Sequence, residues 1–228
     1  DGADTRTSQI NEAEYRDYFE SFLKEGKDVL HLSLSSGISG SINSARLAQE
    51  ELAAKYPERK LYIVDSLAAS SGYGLLMDTL ADMRDAGKSN DELRDWAEEN
   101  KNKLHHWFTA TDLTYLIRGG RVSKASGFFG TMLNICPVMT VAPDGTLKPV
   151  QKVRTKKKVL EALALMTHDP AMPYMDYVAK IKANPLARTV KLADLRHNSD
   201  ITRLEHVDAR TLARIEKYRQ AIQLLESQ

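Results

Sequence analysis

The chain is poor in cysteine: Cys136 is the only one in 228 residues. That excludes an intrachain disulfide framework and suits a reducing compartment. Charge of one sign is also missing, since 32 Lys and Arg against 31 Asp and Glu leave a formal net charge of +1. No general attraction to nucleic acid or to an acidic membrane surface is built in. No apolar run approaches the roughly 18–20 residues that a bilayer crossing requires. No basic-plus-apolar leader stands at the front, where the chain opens on Asp1 rather than methionine. Internal repeats and low-complexity linkers are absent as well. The expectation is a cytoplasmic protein, truncated at its front, with no membrane span and no nucleic-acid partner. What remains is ordinary globular material, 42% hydrophobic and 28% charged, long enough for one large core or two modest domains.

The periodicities alternate between strand and helix. Glu12 to Lys24 carries Tyr15, Tyr18, Phe19 and Phe22 at helical spacing and stops at Gly26. Val29 to Leu34 reads as a buried strand. Ala45, Ala48 and Leu52 mark a helix that ends before Pro57, and LYIVD (61–65) is a second strand. An apolar helix follows and closes at Gly87, and 91–103 reads as a more polar one. Further strands are expected at 107–111 and 149–153, the latter after the Asp144-Gly145 turn. Strand, helix, strand, helix predicts an α/β fold, a parallel-type sheet lobe with right-handed crossovers from about Val29 to Val141. Beyond about Val159, apolar residues recur at helical spacing (Ile215, Tyr218, Ile222, Leu225), and an all-helical C-terminal tail is expected.

One junction carries chemistry. Between the first strand and its helix lie Ser35 to Gly40, only serine, glycine and one isoleucine. Ligands of open parallel sheets bind beyond the carboxyl ends of the strands. There the first-turn N–H groups of a helix lack partners and the helix dipole is positive. Glycine allows close backbone approach and serine adds hydroxyl donors, so SSGISGS is built as an anion cradle for a carboxylate or phosphate. It has neither the lysine of a phosphate-binding loop nor the G-x-S-x-G of a nucleophile elbow. The alternative is that Ser39, Ser41 or Asn43 simply caps the helix.

From Gly2 to about Leu163 the chain closely resembles the DegV family of bacterial fatty-acid-binding proteins. The stretches that carry the resemblance are RTSQINEAEY (6–15), LSLSSGISGSINSA (32–45), VDSLAASSGYG (64–74), DLTYLIRGGRVSK (112–124), MLNICPV (132–138) and KVRTKKK (152–158). The resemblance implies two α/β lobes with one long-chain acyl group between them, presented to a separate fatty-acid kinase. It implies no catalytic residues, no enzyme activity and no cofactor beyond the bound fatty acid. By the same resemblance, Thr7 and Ser36, with Ser8 and Gly37 beside them, hold the carboxylate through hydroxyls and free backbone N–H groups. Arg154 matches an arginine near the phosphorylated head group, where a phosphate or partner contact is expected. Phe128, Phe129, Met132 and Leu133 are candidates for the tunnel wall, with plain core packing as the alternative. Arg118, Arg121, Lys148, Lys152 and Lys156 to Lys158 are the other basic residues weighed for such roles.

At both ends the family pattern departs. The opening strand with its T-D-S motif and the late histidine-glycine segment are missing. From about Val159 the tail resembles the C-terminal part of HD-domain metal-dependent phosphohydrolases, through K-L-A-D-x-x-H-N at 191–198. The division expected is therefore 1–158, a partial DegV-like region, and 159–228, an HD-like fragment. An HD-type (nucleotide) phosphohydrolase is the alternative function. Asp194 would be the metal ligand, but one carboxylate cannot fix an ion's geometry. His168-Asp169 matches a non-ligand stretch, so no metal site is expected. Asp194, His197 and Asn198 are read as vestigial or structural.

Overall fold

A computed structural model describes residues 8–110, 113–122, 136–199 and 208–227. These fall into two compact units. Unit 1 takes the described residues up to His106 with 114–122 and 140–148, and unit 2 takes the rest.

Unit 1 begins with helix α1 (Glu12–Lys24), started by a capping box in which the Asn11 side chain accepts the Glu14 N–H and Glu14 accepts the Asn11 N–H. Strand β1 (Val29–Ser33), helix α2 (Ser41–Lys55), strand β2 (Leu61–Asp65) and helix α3 (Ser70–Asp85) follow in order. β1 and β2 pair in parallel, Val29 opposite Leu61 through Ser33 opposite Asp65. A second capping box, Ser89 with Glu92, starts α4 (Asn90–Asn100), which a 3-10 turn extends to Lys103. The helices form two layers. On one side Tyr15, Phe19 and Leu23 of α1 meet Ala45, Ala48 and Leu52 of α2 over Leu61. On the other, Leu76 and Leu80 of α3 with Leu93 and Ala97 of α4 cover Leu32 and Val64. The short helix α5 (Thr114–Arg118) belongs here too.

Unit 2 holds most of a three-stranded sheet, ordered β3 (Trp107–Thr109), β4 (Cys136–Val141), β5 (Leu147–Val153). The turn of the β4–β5 hairpin, closed by the Ala142 N–H on the Thr146 carbonyl at 2.8 Å, clusters with unit 1. Helices α6 (Lys156–Leu165), α7 (Tyr174–Lys182), α8 (Pro185–Asn198) and α9 (Ala209–Glu226) complete the unit. Their core joins Val138 and Val153 of the sheet to Val159, Val178, Ile181 and Leu225 of the helices.

The α/β order and the helical tail match the sequence reading, with three refinements. β1 ends at Ser33 rather than Leu34, β3 ends at Thr109, and α3 starts at Ser70 after an irregular turn. The parallel lobe does not run to Val141, because β4 pairs in the second sheet rather than beside β1 and β2. Strand β4 and helix α5 are absent from the sequence expectation.

Candidate functional site

The carboxyl ends of β1 and β2 lie side by side, so both βα junctions open on the same edge of unit 1. Asp65, the last residue of β2, joins them. Its Oδ1 accepts the N–H of Ser36 at 3.2 Å and of Leu67 at 3.0 Å. Beside it, Leu67 (φ 49°) and Ser70 (φ 51°) are held in the left-handed region, costly for non-glycine residues and a recurrent mark of functional turns.

Ser35 is fully buried and organises the first junction. Its N–H donates to the Ala68 carbonyl at 3.0 Å, and its hydroxyl donates to the Gly145 carbonyl at 2.8 Å. The same oxygen accepts the Gly37 N–H at 3.2 Å. The hairpin turn thus lies directly on the loop. A Cβ on Gly37 would stand 2.5 Å from the Gly145 carbonyl carbon and 2.7 Å from the Thr146 nitrogen, so no larger residue fits without moving backbone.

These bonds correct the expectation of a cradle of free backbone N–H groups. Ser36 and Gly37 spend theirs on Asp65 and on Ser35, while Ile38 and Ser39 both donate to the Ser35 carbonyl. Among the described residues, the N–H groups of Gly40 and Ile42 take no partner, and neither does the Ser36 hydroxyl, which is exposed. The helix-cap alternative is only partly met. Gly40 is the N-cap of α2 and offers no side chain, while the Ser39 oxygen accepts the Ser41 N–H at 3.3 Å.

Arg121 brings positive charge to this loop. Its Nε donates to the Ile38 carbonyl at 2.9 Å and its Nη1 to the Gly119 carbonyl at 2.5 Å, fixing the guanidinium beside the junction. The fixed cation and the open hydroxyl can receive a carboxylate by charge-assisted hydrogen bonding. Sequence reasoning weighed Arg121 only among the other basic residues, and it missed Ser35, Asp65 and Gly145. The spacing of strand ends in VDS and LSLSS, both at carboxyl edges of parallel strands, was the signal that could have found Asp65.

Of the expected ligand residues, Ser36 and Gly37 sit in this loop. Ser8 is exposed in the segment before α1, and the amide of the next residue, Gln9, lies 3.2 Å from the Cβ position of Gly40. Thr7, Phe128, Phe129, Met132 and Leu133 lie outside the described residues. Arg154 is exposed in the bend between β5 and the α6 N-cap, Thr155, in unit 2.

The tail residues are engaged structurally. Asp194 is buried, accepting from Lys191 Nζ at 2.8 Å and from Asn198 Nδ2 at 2.9 Å. His168 Nε2 lies 2.9 Å from the Met172 carbonyl oxygen and its ring packs on Tyr177, while Asp169 accepts the Ala171 N–H. Among the described residues no group of three His, Cys, Asp or Glu side chains could hold a metal ion. No described helix is long and apolar enough to cross a membrane.

The DegV family model, whose description is of an uncharacterised protein family, matches residues 2–211. The chain belongs to the DegV family. The match runs well into the tail and leaves its resemblance to HD phosphohydrolases unsupported. A DegV domain-containing protein of Clostridium perfringens is 44% identical over 157 residues, 69% of this chain and 54% of its own. The chain therefore spans about half the length of that relative. A DegV lipid-binding protein from Thermotoga maritima superposes with a TM-score of 0.60 at 33% identity, over 72% of this chain and 55% of that one. The Fatty Acid Kinase (Fak) B3 protein of Streptococcus pneumoniae, solved loaded with linoleic acid, gives 0.61 at 29% identity, over 68% and 54%.

Proposed function

We propose that this DegV chain binds a long-chain fatty acid by its carboxylate at the β1–α2 junction and carries it, without chemistry of its own, to a cytoplasmic fatty-acid kinase. The observation that carries this reading is the exposed, unpartnered Ser36 hydroxyl at the end of β1 with the Arg121 guanidinium fixed to the same loop. Its likeness to a protein loaded with linoleic acid supplies the ligand class. Ser36, with Thr7, Ser8 and Gly37 as family-matched neighbours, receives the carboxylate, and Arg121 adds charge.

A hydrogen bond to a charged group contributes about 1.5–3 kcal/mol. The acyl chain contributes more, at about 0.8 kcal/mol per buried methylene before ordering costs, with Phe128, Phe129, Met132 and Leu133 as its wall. Arg154 serves the phosphorylated head group or the kinase. The region 1–158 carries the ligand, and the HD-like text of 159–228 serves as helix packing, with Asp194 as an internal lock rather than a metal ligand. Lipid extraction of the purified protein followed by mass spectrometry tests the reading. A stoichiometric long-chain acid supports it, and a protein that neither retains nor takes up any fatty acid overturns it.

A further inference from the structure

We infer that the β1–α2 junction selects a singly charged head group against a doubly charged one, and that Asp65 is the residue that sets this selection. The inference deepens the carrier reading and rests on it, since the ligand is taken to be a carboxylate held at Ser36. Asp65 ends β2 beside the end of β1, and it is buried. Its Oδ1 accepts the Ser36 N–H at 3.2 Å, so an acid is bonded to the backbone of the residue whose hydroxyl receives the ligand. Its other partner is the Leu67 N–H at 3.0 Å. Among the described residues these two backbone dipoles answer Asp65, and no cation does.

The donor supply points the same way. A loop that takes a phosphate dianion presents a run of free N–H groups, commonly with a lysine. Here the N–H groups of Ser36, Gly37, Ile38, Ser39 and Ser41 are all paired within the loop or with Asp65. Those of Gly40 and Ile42 stay open, with the Ser36 hydroxyl. Arg121 is bonded to the loop, but its Nε and Nη1 already serve the Ile38 and Gly119 carbonyls. The hairpin turn brings Asp144 with Lys148 at 3.3 Å, a pair without net charge. Arg121 and Asp65 likewise cancel before a ligand arrives. A carboxylate then leaves the junction with a single negative charge, and a phosphate dianion would double it. In partly dehydrated surroundings that difference is felt several times more strongly than in bulk water.

Asp65 thus acts in two ways. Its Oδ1 fixes the Ser36 backbone so that the hydroxyl is the side-chain donor left for the ligand, and its charge opposes a second negative charge on the head group. Were only the first true, replacing Asp65 would weaken every ligand alike. The second is read from two ligands with the same chain and the same phosphorus centre that differ by one charge.

The test is displacement of a fluorescent fatty acid from the full chain by palmitate, hexadecyl phosphate and hexadecyl methyl phosphate at about pH 8. A phosphate monoester, with its second pKa at about 6, is then doubly charged, and its methyl ester is singly charged. The wild type should bind the methyl ester about fivefold or more tightly than the smaller dianion. Asp65→Asn, which keeps an acceptor oxygen for the Ser36 N–H, should shrink that ratio about threefold or more by strengthening the dianion most. Asp65→Ser takes its place should the amide variant fold poorly. A wild type that holds the dianion as tightly as its methyl ester overturns the selection without recourse to any variant, and palmitate displacement in the same titration leaves the carrier reading standing. A folded neutral variant with an unchanged ratio, or one that loses all three ligands in equal proportion, overturns the role of Asp65. A protein that takes up neither the fluorescent acid nor palmitate overturns the carrier reading and the selection together.

Discussion

Replacing Gly37 by alanine tests how the first junction is built. The added methyl would stand 2.5 Å from the Gly145 carbonyl carbon, 2.6 Å from its oxygen and 2.7 Å from the Thr146 nitrogen. All three are backbone atoms, so the hairpin turn or the loop has to move as a body. Forced overpacking of this kind costs roughly 1–3 kcal/mol. Any displacement also stretches the Ser35 hydroxyl bond to the Gly145 carbonyl, 2.8 Å long and buried, for about 1 kcal/mol more. Gly74 is the internal control, because it lies within α3 and a Cβ there meets nothing within 4 Å. Gly74→Ala should therefore stabilise the protein by about 0.5–1 kcal/mol through helix propensity and chain entropy. Urea unfolding of both variants should give midpoints on opposite sides of the wild type, with Gly37→Ala lower by about 2–4 kcal/mol. A Gly37→Ala protein as stable as the wild type would refute the close approach of the hairpin turn to the loop.

Three further outcomes follow from the same structure. Ser35→Ala should lose roughly 1–3 kcal/mol in thermal unfolding, since it orphans the buried Gly145 carbonyl and the half-buried Gly37 N–H, whereas Ser36→Ala should leave the melting temperature within about 1 °C. Glu20, bonded to Lys55, Lys24 and the Tyr56 hydroxyl, has its carboxyl held down to about 2 from 4.5. A carboxylate depressed in the folded state adds stability that is present above its unfolded value and lost as pH falls through the folded one. The acid-unfolding curve of Glu20→Gln should accordingly flatten between pH 4.5 and 2 relative to wild type, and an unchanged slope there would count against the network. Asp194→Ala should destabilise the protein by on the order of 3 kcal/mol by leaving Lys191 buried without its carboxylate. Chelators and divalent metals should shift neither protein's melting temperature, and a metal-dependent shift lost in the variant would restore the phosphohydrolase alternative.

Much of the fold was legible because it rests on local periodicity. The aromatic face of α1, the β1–α2–β2 alternation and the apolar spacing of α9 each follow from neighbours a few residues apart. β4 was not legible, since Pro137 as its second residue removes a ladder donor and argues against a strand that here lies between two others. The five-residue α5 is too short for any periodicity to register. The candidate site divides the same way. The Ser/Gly composition located the loop, but which of its N–H groups remain open depends on Asp65, 29 residues further on, and on Gly145, 110 residues from Ser35. Contacts at those separations leave no trace in local pattern, so the sequence reading expected hydroxyls together with free N–H groups at Ser36 and Gly37, whereas the fold pairs those two and leaves open the Ser36 hydroxyl and the N–H groups of Gly40 and Ile42. Arg121 likewise reads as one surface cation among many until the chain brings it to the Ile38 carbonyl.

The carrier reading stands on the Ser36 hydroxyl, and a fluorescence titration of the wild type and Ser36→Ala with a long-chain fatty acid and with the alcohol of equal length tests it directly. Loss of one charge-assisted hydrogen bond should weaken acid binding by about 1.5–3 kcal/mol, roughly ten- to hundredfold. The alcohol should bind the wild type more weakly than the acid and respond little to the substitution. Equal acid affinities for the two proteins, at unchanged stability, would contradict a carboxylate site at the end of β1.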